Sequence, residues 1–110
     1  MIVAVVQFPT GTVSREETRA RFRSTAPRYQ DVEGLVRKYY LLSEDGTKGG
    51  GVYLFRSKDE AQRLYNDEWL RFIRSTYGTD PIIEYYECPV VVDNATREIA
   101  TREIQTSEPA

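Results

Sequence analysis

The apolar spacing between Ser57 and Gly78 constrains the fold most. Ala61, Leu64, Tyr65, Trp69, Phe72, Ile73 and Tyr77 recur at three- and four-residue steps, the period of a helix with one buried face. Ser57 and Glu60 form a capping box at its start, and Gly78 is placed to stop it. The pattern predicts one helix running to about Tyr77. The segments around it are too short and too β-branched or aromatic for helices. Ile2 to Phe8, Leu35 to Leu42, Gly51 to Phe55 and Pro81 to Val92 read as strands, with Asp45-Gly46 as a hairpin turn and Pro89 marking an edge or bulge. A second capping box, Ser14 with Glu17, opens a helix to about Tyr29. Its buried stripe is narrow (Phe22, Ala26, Tyr29), and Pro27 falls inside it. The order β-α-β-β-α-β predicts an α+β, ferredoxin-like fold: an antiparallel four-stranded sheet with two helices on one face.

All six elements fall within residues 1–94, which we read as one domain, as expected for a chain of 110 residues. Residues 95–110 form a polar tail that repeats as TREIATREI. With only Ile99 and Ile104 as apolar anchors, it is expected to be flexible or to pack on a partner subunit.

Leu35, Arg37, Tyr39 and Leu41 alternate with Val36, Lys38, Tyr40 and Leu42, so both faces of that strand carry large apolar groups. Helices on one side leave the other face in need of a cover. The same face of a second copy supplies one, which predicts a homodimer.

Several function classes drop out. The net charge is -2 with no block of like charge, which argues against nucleic acid as a partner. No apolar run approaches the ~20 residues of a membrane span. There is no histidine, which removes Ser-His-Asp and Cys-His catalysis, His-ligated zinc and haem on a proximal His. One cysteine, Cys88, allows no internal disulfide and fits a reducing, cytoplasmic setting; we read it as structural. The acidic Asn66-Asp67-Glu68 reads as helix surface. We expect no metal and no cofactor.

Gly49-Gly50-Gly51 precedes a strand instead of linking a strand to a helix, so it is no phosphate loop. It reads as a place where another backbone, a bulky side chain or a ligand comes close.

The stretch GLVRKYYLLSEDGTKGGGVYLF (34–55) resembles the strand-hairpin-strand of the YdhR-type monooxygenases in the dimeric α/β-barrel superfamily. Gly34, Lys38, Tyr40, Gly50-Gly51 and Tyr53-Leu54-Phe55 carry the likeness, and YGTDPIIEYYECPVVVDN (77–94) is similar to the closing strand of close relatives. The resemblance implies a pocket between sheet and helices in each subunit of a dimer, and cofactor-independent oxidation of an aromatic or polyketide-like molecule. Such chemistry asks the protein to bind an electron-rich phenol, take its proton and keep water out. The candidates are Lys38 and Tyr40 as catalytic groups, and Tyr53, Tyr65, Trp69 and Arg71 as substrate-binding groups; Arg37 is a lesser one. Each also has a plain structural reading: Lys38 as an edge lysine or partner of Glu84, the aromatics as core, Arg71 as a solvated helix residue. The alternative functions are a non-catalytic dimeric module for a small hydrophobic ligand or a protein, and an isomerase or dehydratase on the same scaffold.

Overall fold

The computed structural model describes residues 1–101. Four strands form one antiparallel sheet: β1 (Ile2–Pro9), β2 (Leu35–Leu42), β3 (Lys48–Phe55) and β4 (Ile82–Glu87), in the order β2-β3-β1-β4. With α1 (Arg15–Thr25) after β1, and α2 (Lys58–Leu64) and α3 (Asp67–Tyr77) after β3, this is the α+β ferredoxin-like arrangement. Among the described residues no helix is long and apolar enough to cross a membrane.

Four boundaries differ from the sequence-based expectation. The single helix expected over Ser57–Tyr77 is two. At Tyr65 the backbone leaves helical geometry (φ -85°, ψ 53°), and Asn66 restarts the chain as an N-cap, its side chain accepting from the Trp69 N–H at 2.9 Å. Helix α1 ends at Thr25, and Pro27 lies in a 3-10 turn, Ala26–Tyr29. Strand β3 begins at Lys48, so the three glycines lie inside it. The closing strand stops at Glu87. Beyond Pro89, β5 (Val90–Asp93) pairs with β6 (Glu98–Thr101) as a separate two-stranded ribbon. Ile104, the second anchor of the repeat, lies outside the described residues.

Both capping serines act as expected. Ser14 accepts from the Glu17 N–H and Ser57 from the Glu60 N–H. In the β2–β3 turn the Asp45 carboxylate accepts from the Thr47 N–H, the Thr47 hydroxyl and the Ser43 hydroxyl. These bonds, that of the Thr47 amide first, hold it down at about 2.

The register decides what each sheet face carries. Ala4, Val6 and Phe8 of β1 and Tyr53 and Phe55 of β3 point towards the helices and form the core with Tyr29, Ala61, Tyr65, Trp69 and Ile73. Lys38 lies opposite Tyr53, Tyr40 opposite Gly51 and Leu42 opposite Gly49, so these residues also face the helices. A bulge between Leu35 and Arg37 breaks the alternation, and Leu35 sits opposite Phe55 on that same inner face. The expected grouping of Leu35 with Arg37, Tyr39 and Leu41 therefore fails at its first member. The outer face carries Val3, Val5, Val52, Leu54, Tyr39, Leu41, Ile82 and Tyr86, of which Tyr39, Leu41, Ile82 and Tyr86 are exposed.

Candidate functional site

A cavity of about 420 Å³ opens between the inner sheet face, α1 and α3. Its floor is Lys38, Tyr40, Gly50 and Tyr53; Phe22 and Thr25 of α1, Tyr29 of the turn and Phe72 and Tyr77 of α3 form its walls. The volume falls within the usual range of small-molecule sites, and the lining combines aromatic rings with hydroxyl and charged groups.

Glycines make the floor possible. A Cβ on Gly51 would come 3.0 Å from Tyr53 Cε1 and 3.4 Å from Lys38 Cε, so its absence lets the lysine stem lie across the neighbouring strand. Gly50 serves the sheet itself: a Cβ there would stand 1.8 Å from the Val6 carbonyl oxygen.

Lys38 Nζ is surrounded by rings. It lies 3.5 Å from the Tyr29 centroid, 3.7 Å from that of Tyr40 and 4.6 Å from that of Tyr53. Among the described residues no carboxylate pairs with it. Glu84, the partner considered from sequence, is on β4 at the far edge of the sheet and on its outer face. Burial pushes the Lys38 amine down to about 7, and the nearby Arg28 guanidinium acts the same way. The ring faces favour the ammonium by ~0.5–2 kcal/mol each. That is less than the cost of burying a charge without a counter-ion, so the net shift is downward. The result is an amine that exchanges its proton near neutrality, on the wall of an aromatic cavity.

Hydrogen bonds fix the surrounding rings. Tyr40 Oη and Thr25 Oγ1 are 2.8 Å apart. Trp69 Nε1–H donates to Tyr29 Oη at 3.0 Å, holding Tyr29 against the lysine. Burial raises the Tyr40 and Tyr53 phenols above their ordinary value, so both remain neutral hydrogen-bonding groups. At the rim, Arg21 donates to the Thr76 carbonyl at 3.0 Å and lies 6.0 Å from the Tyr77 centroid, the one guanidinium on the cavity lining among the described residues.

Of the residues singled out in the sequence, the structure brings Lys38, Tyr40 and Tyr53 together on the lining. Trp69 and Tyr65 are core residues behind it: Trp69 braces Tyr29, and Tyr65 stacks edge-on to Tyr53 at 5.3 Å with its hydroxyl unpaired among the described residues. Arg71 is exposed on α3, off the lining, and Arg37 points from the outer face. Sequence reasoning missed Arg21 and Tyr29. Tyr29 had a signal, as the last residue of the narrow stripe on the first helix; nothing in the spacing separates Arg21 from its neighbouring arginines.

Residues 3–82 match the family described as "Putative mono-oxygenase ydhR". The chain belongs to that family. The match takes in every element that builds the cavity, from β1 through α3. A search of curated proteins finds no match to this ydhR-family chain. Among solved structures it is similar to a monooxygenase of Streptomyces coelicolor, the product of ActVA-Orf6, in complex with the ligand Nanaomycin D: 20% identity, TM-score 0.62, 77% of this chain and 84% of that one. It is also similar to NE2512, a protein of unknown function from Nitrosomonas europaea: 16% identity, TM-score 0.66, 79% and 87% covered. At these identities the likeness is one of fold.

Proposed function

We propose that this protein is a cofactor-independent monooxygenase that oxidises a flat aromatic or polyketide-like phenol in the cavity above Lys38. The observation that carries the reading is a lysine with no carboxylate partner among the described residues, its pKa lowered, among tyrosine rings on the cavity wall. The substrate ring stacks among Tyr29, Tyr40, Phe22 and Phe72. Neutral Lys38 accepts the phenolic proton, and the resulting ammonium, with Arg21, faces the phenolate. The phenolate is electron-rich enough to reduce O2 itself. One oxygen atom enters the ring to give a quinone, the other leaves as water, and the substrate supplies all four electrons. The likeness to a monooxygenase with a bound ligand supports the same cavity chemistry.

Oxygen uptake over a panel of hydroxylated naphthalenes and anthracenes tests this. At least one is expected to consume O2 above its background rate, with one quinone formed per O2. Product formed without O2 uptake indicates the isomerase or dehydratase alternative, and tight binding without turnover the binding module.

The same reading includes a homodimer closed over the outer sheet face. Besides its exposed apolar groups, that face carries Arg37 on edge strand β2 and Glu84 on edge strand β4. Opposite charges at its two edges make it complementary to a two-fold related copy of itself. Val52→Arg, at the middle of the face, is expected to raise the dimer dissociation constant about 100-fold or more, because two charges then enter one apolar interface. Sedimentation equilibrium of both proteins reads this; a monomeric parent protein would remove the dimer.

A further inference from the structure

We propose that Lys38 is also a carbonyl-capturing nucleophile: its Nζ, held among the rings of Tyr29, Tyr40 and Tyr53 on the cavity wall, condenses with the aldehyde or ketone group of an aromatic ligand to form a Schiff base. This rests on the cavity assigned to the oxygenase reading, but not on oxygen chemistry.

A lysine amine attacks a carbonyl only with its lone pair free. Two environments free it: desolvation in an apolar pocket and a neighbouring cation. Lys38 has both, the second from Arg28. Among the described residues, no group facing it is placed to restore the proton by charge pairing. Arg28 and Tyr29 face it from the turn, Tyr40 from β2 and Tyr53 from β3; Arg21 of α1 and Tyr77 of α3 are the titratable groups across the cavity. None of them is a carboxylate. The cavity has room for a ring system beside the amine, and its aromatic walls would hold that ring while the carbonyl meets Nζ.

The step balances without an oxidant or reductant. A bond forms between Nζ and the carbonyl carbon, the carbon–oxygen bond breaks, and the oxygen leaves as water with the two hydrogens from nitrogen. Arg21 and the hydroxyls of Tyr40 and Thr25 are among the hydrogen-bonding groups on the lining that can polarise the carbonyl. The ligand class is an aromatic aldehyde or ketone.

Reductive trapping tests the proposal. The intact protein is incubated with 2-hydroxy-1-naphthaldehyde and sodium cyanoborohydride, and the adducts are located by peptide mass mapping. The other lysines, Lys48 and Lys58, are exposed and serve as internal references. At pH 7.5 Lys38 is expected to be labelled at least about ten-fold faster than either, since an ordinary lysine is then almost wholly protonated. The preference is expected to shrink at pH 5, and excess 2-naphthol, which has no carbonyl, is expected to protect Lys38 alone. Labelling spread evenly over the lysines, or Lys38 labelling that 2-naphthol leaves unchanged, would overturn the proposal. Oxygen uptake with Lys38 refractory to trapping sinks this proposal and leaves the oxygenase standing; trapping without oxygen uptake does the reverse.

Discussion

Lys38→Met is expected to lower turnover of a phenolic substrate by about 100-fold or more, the contribution of a positioned general base, while making the fold more stable near pH 6. Methionine keeps most of the apolar stem but lacks the Nζ that faces the three rings, and it accepts no proton. Loss of turnover alone would not separate a lost base from a damaged fold, so the stability result matters as much. The folded-state value of Lys38, about 7, lies below its ordinary 10.5. Below about pH 7 both the folded and unfolded states hold the proton, and the folded state bears the full cost of the buried ammonium. Between the two values only the unfolded chain holds it, so stability rises with pH, and above 10.5 the cost is gone. The gap between the values sets an upper limit of about 5 kcal/mol. Partial exposure of the side chain reduces that figure. Lys38→Met is thus expected to melt higher than the parent protein at pH 6, with the difference shrinking towards pH 10. In the parent protein, turnover is expected to rise with pH through about 7 as the amine loses its proton. A variant that loses turnover and also melts lower at pH 6 would count against the buried, unpaired amine.

Gly50→Ala is expected to abolish folding at ordinary temperatures. The added Cβ would sit 1.8 Å from the Val6 carbonyl oxygen and 2.8 Å from the Val6 carbonyl carbon, and φ at Gly50 is +156°. Both obstructing atoms are backbone, in the strand that pairs with Gly50 through Gln7. Neither can move without parting β1 from β3, the central pair of the sheet. A loss above about 4 kcal/mol is expected, a large share of the 5–15 kcal/mol typical of a domain. Gly51→Ala is the contrasting case. Its nearest contacts are all at 3.0 Å or more, the Tyr39 carbonyl oxygen and side-chain atoms of Tyr53 and Lys38, and no positive φ opposes the change, so the loss is expected to be smaller than for Gly50→Ala, with the lysine displaced. Urea denaturation of the two variants side by side separates the roles: a folded Gly50→Ala protein of near-normal stability would show that β1 and β3 are not this close.

The contrast bears on what the sequence could convey. Element order was legible because the strand period of two and the helix period near 3.6 are written in apolar residues. The break at Tyr65 was not, because Leu64, Tyr65, Trp69, Phe72 and Ile73 keep helical spacing across it. The restart signal, Asn66 as a cap before acidic Asp67 and Glu68, looked like helix surface. The bulge at Val36 hid for a similar reason: Leu35 is apolar in either register. Lys38 stood out as a charge in an apolar strand, and its ring neighbours Tyr40 and Tyr53 lay on the same hairpin. Tyr29 and Arg21 come from elements distant in sequence, and only the way α1 crosses the sheet brings them to the cavity. The glycine run was readable as close approach, but which approach each glycine serves depends on register. Gly51 lies on the helix side of β3, and Gly50 on the strand-pairing contact with β1.

The most direct test of the central claim, that Lys38 takes the proton of a bound phenol, is the absorption spectrum of a polycyclic phenol bound without oxygen. At pH 7.5, where the free phenol is neutral, the bound phenol is expected to show the phenolate band in the parent protein and the neutral band in Lys38→Met. A neutral phenol bound to the parent protein, or a phenolate band that survives the substitution, would contradict the account.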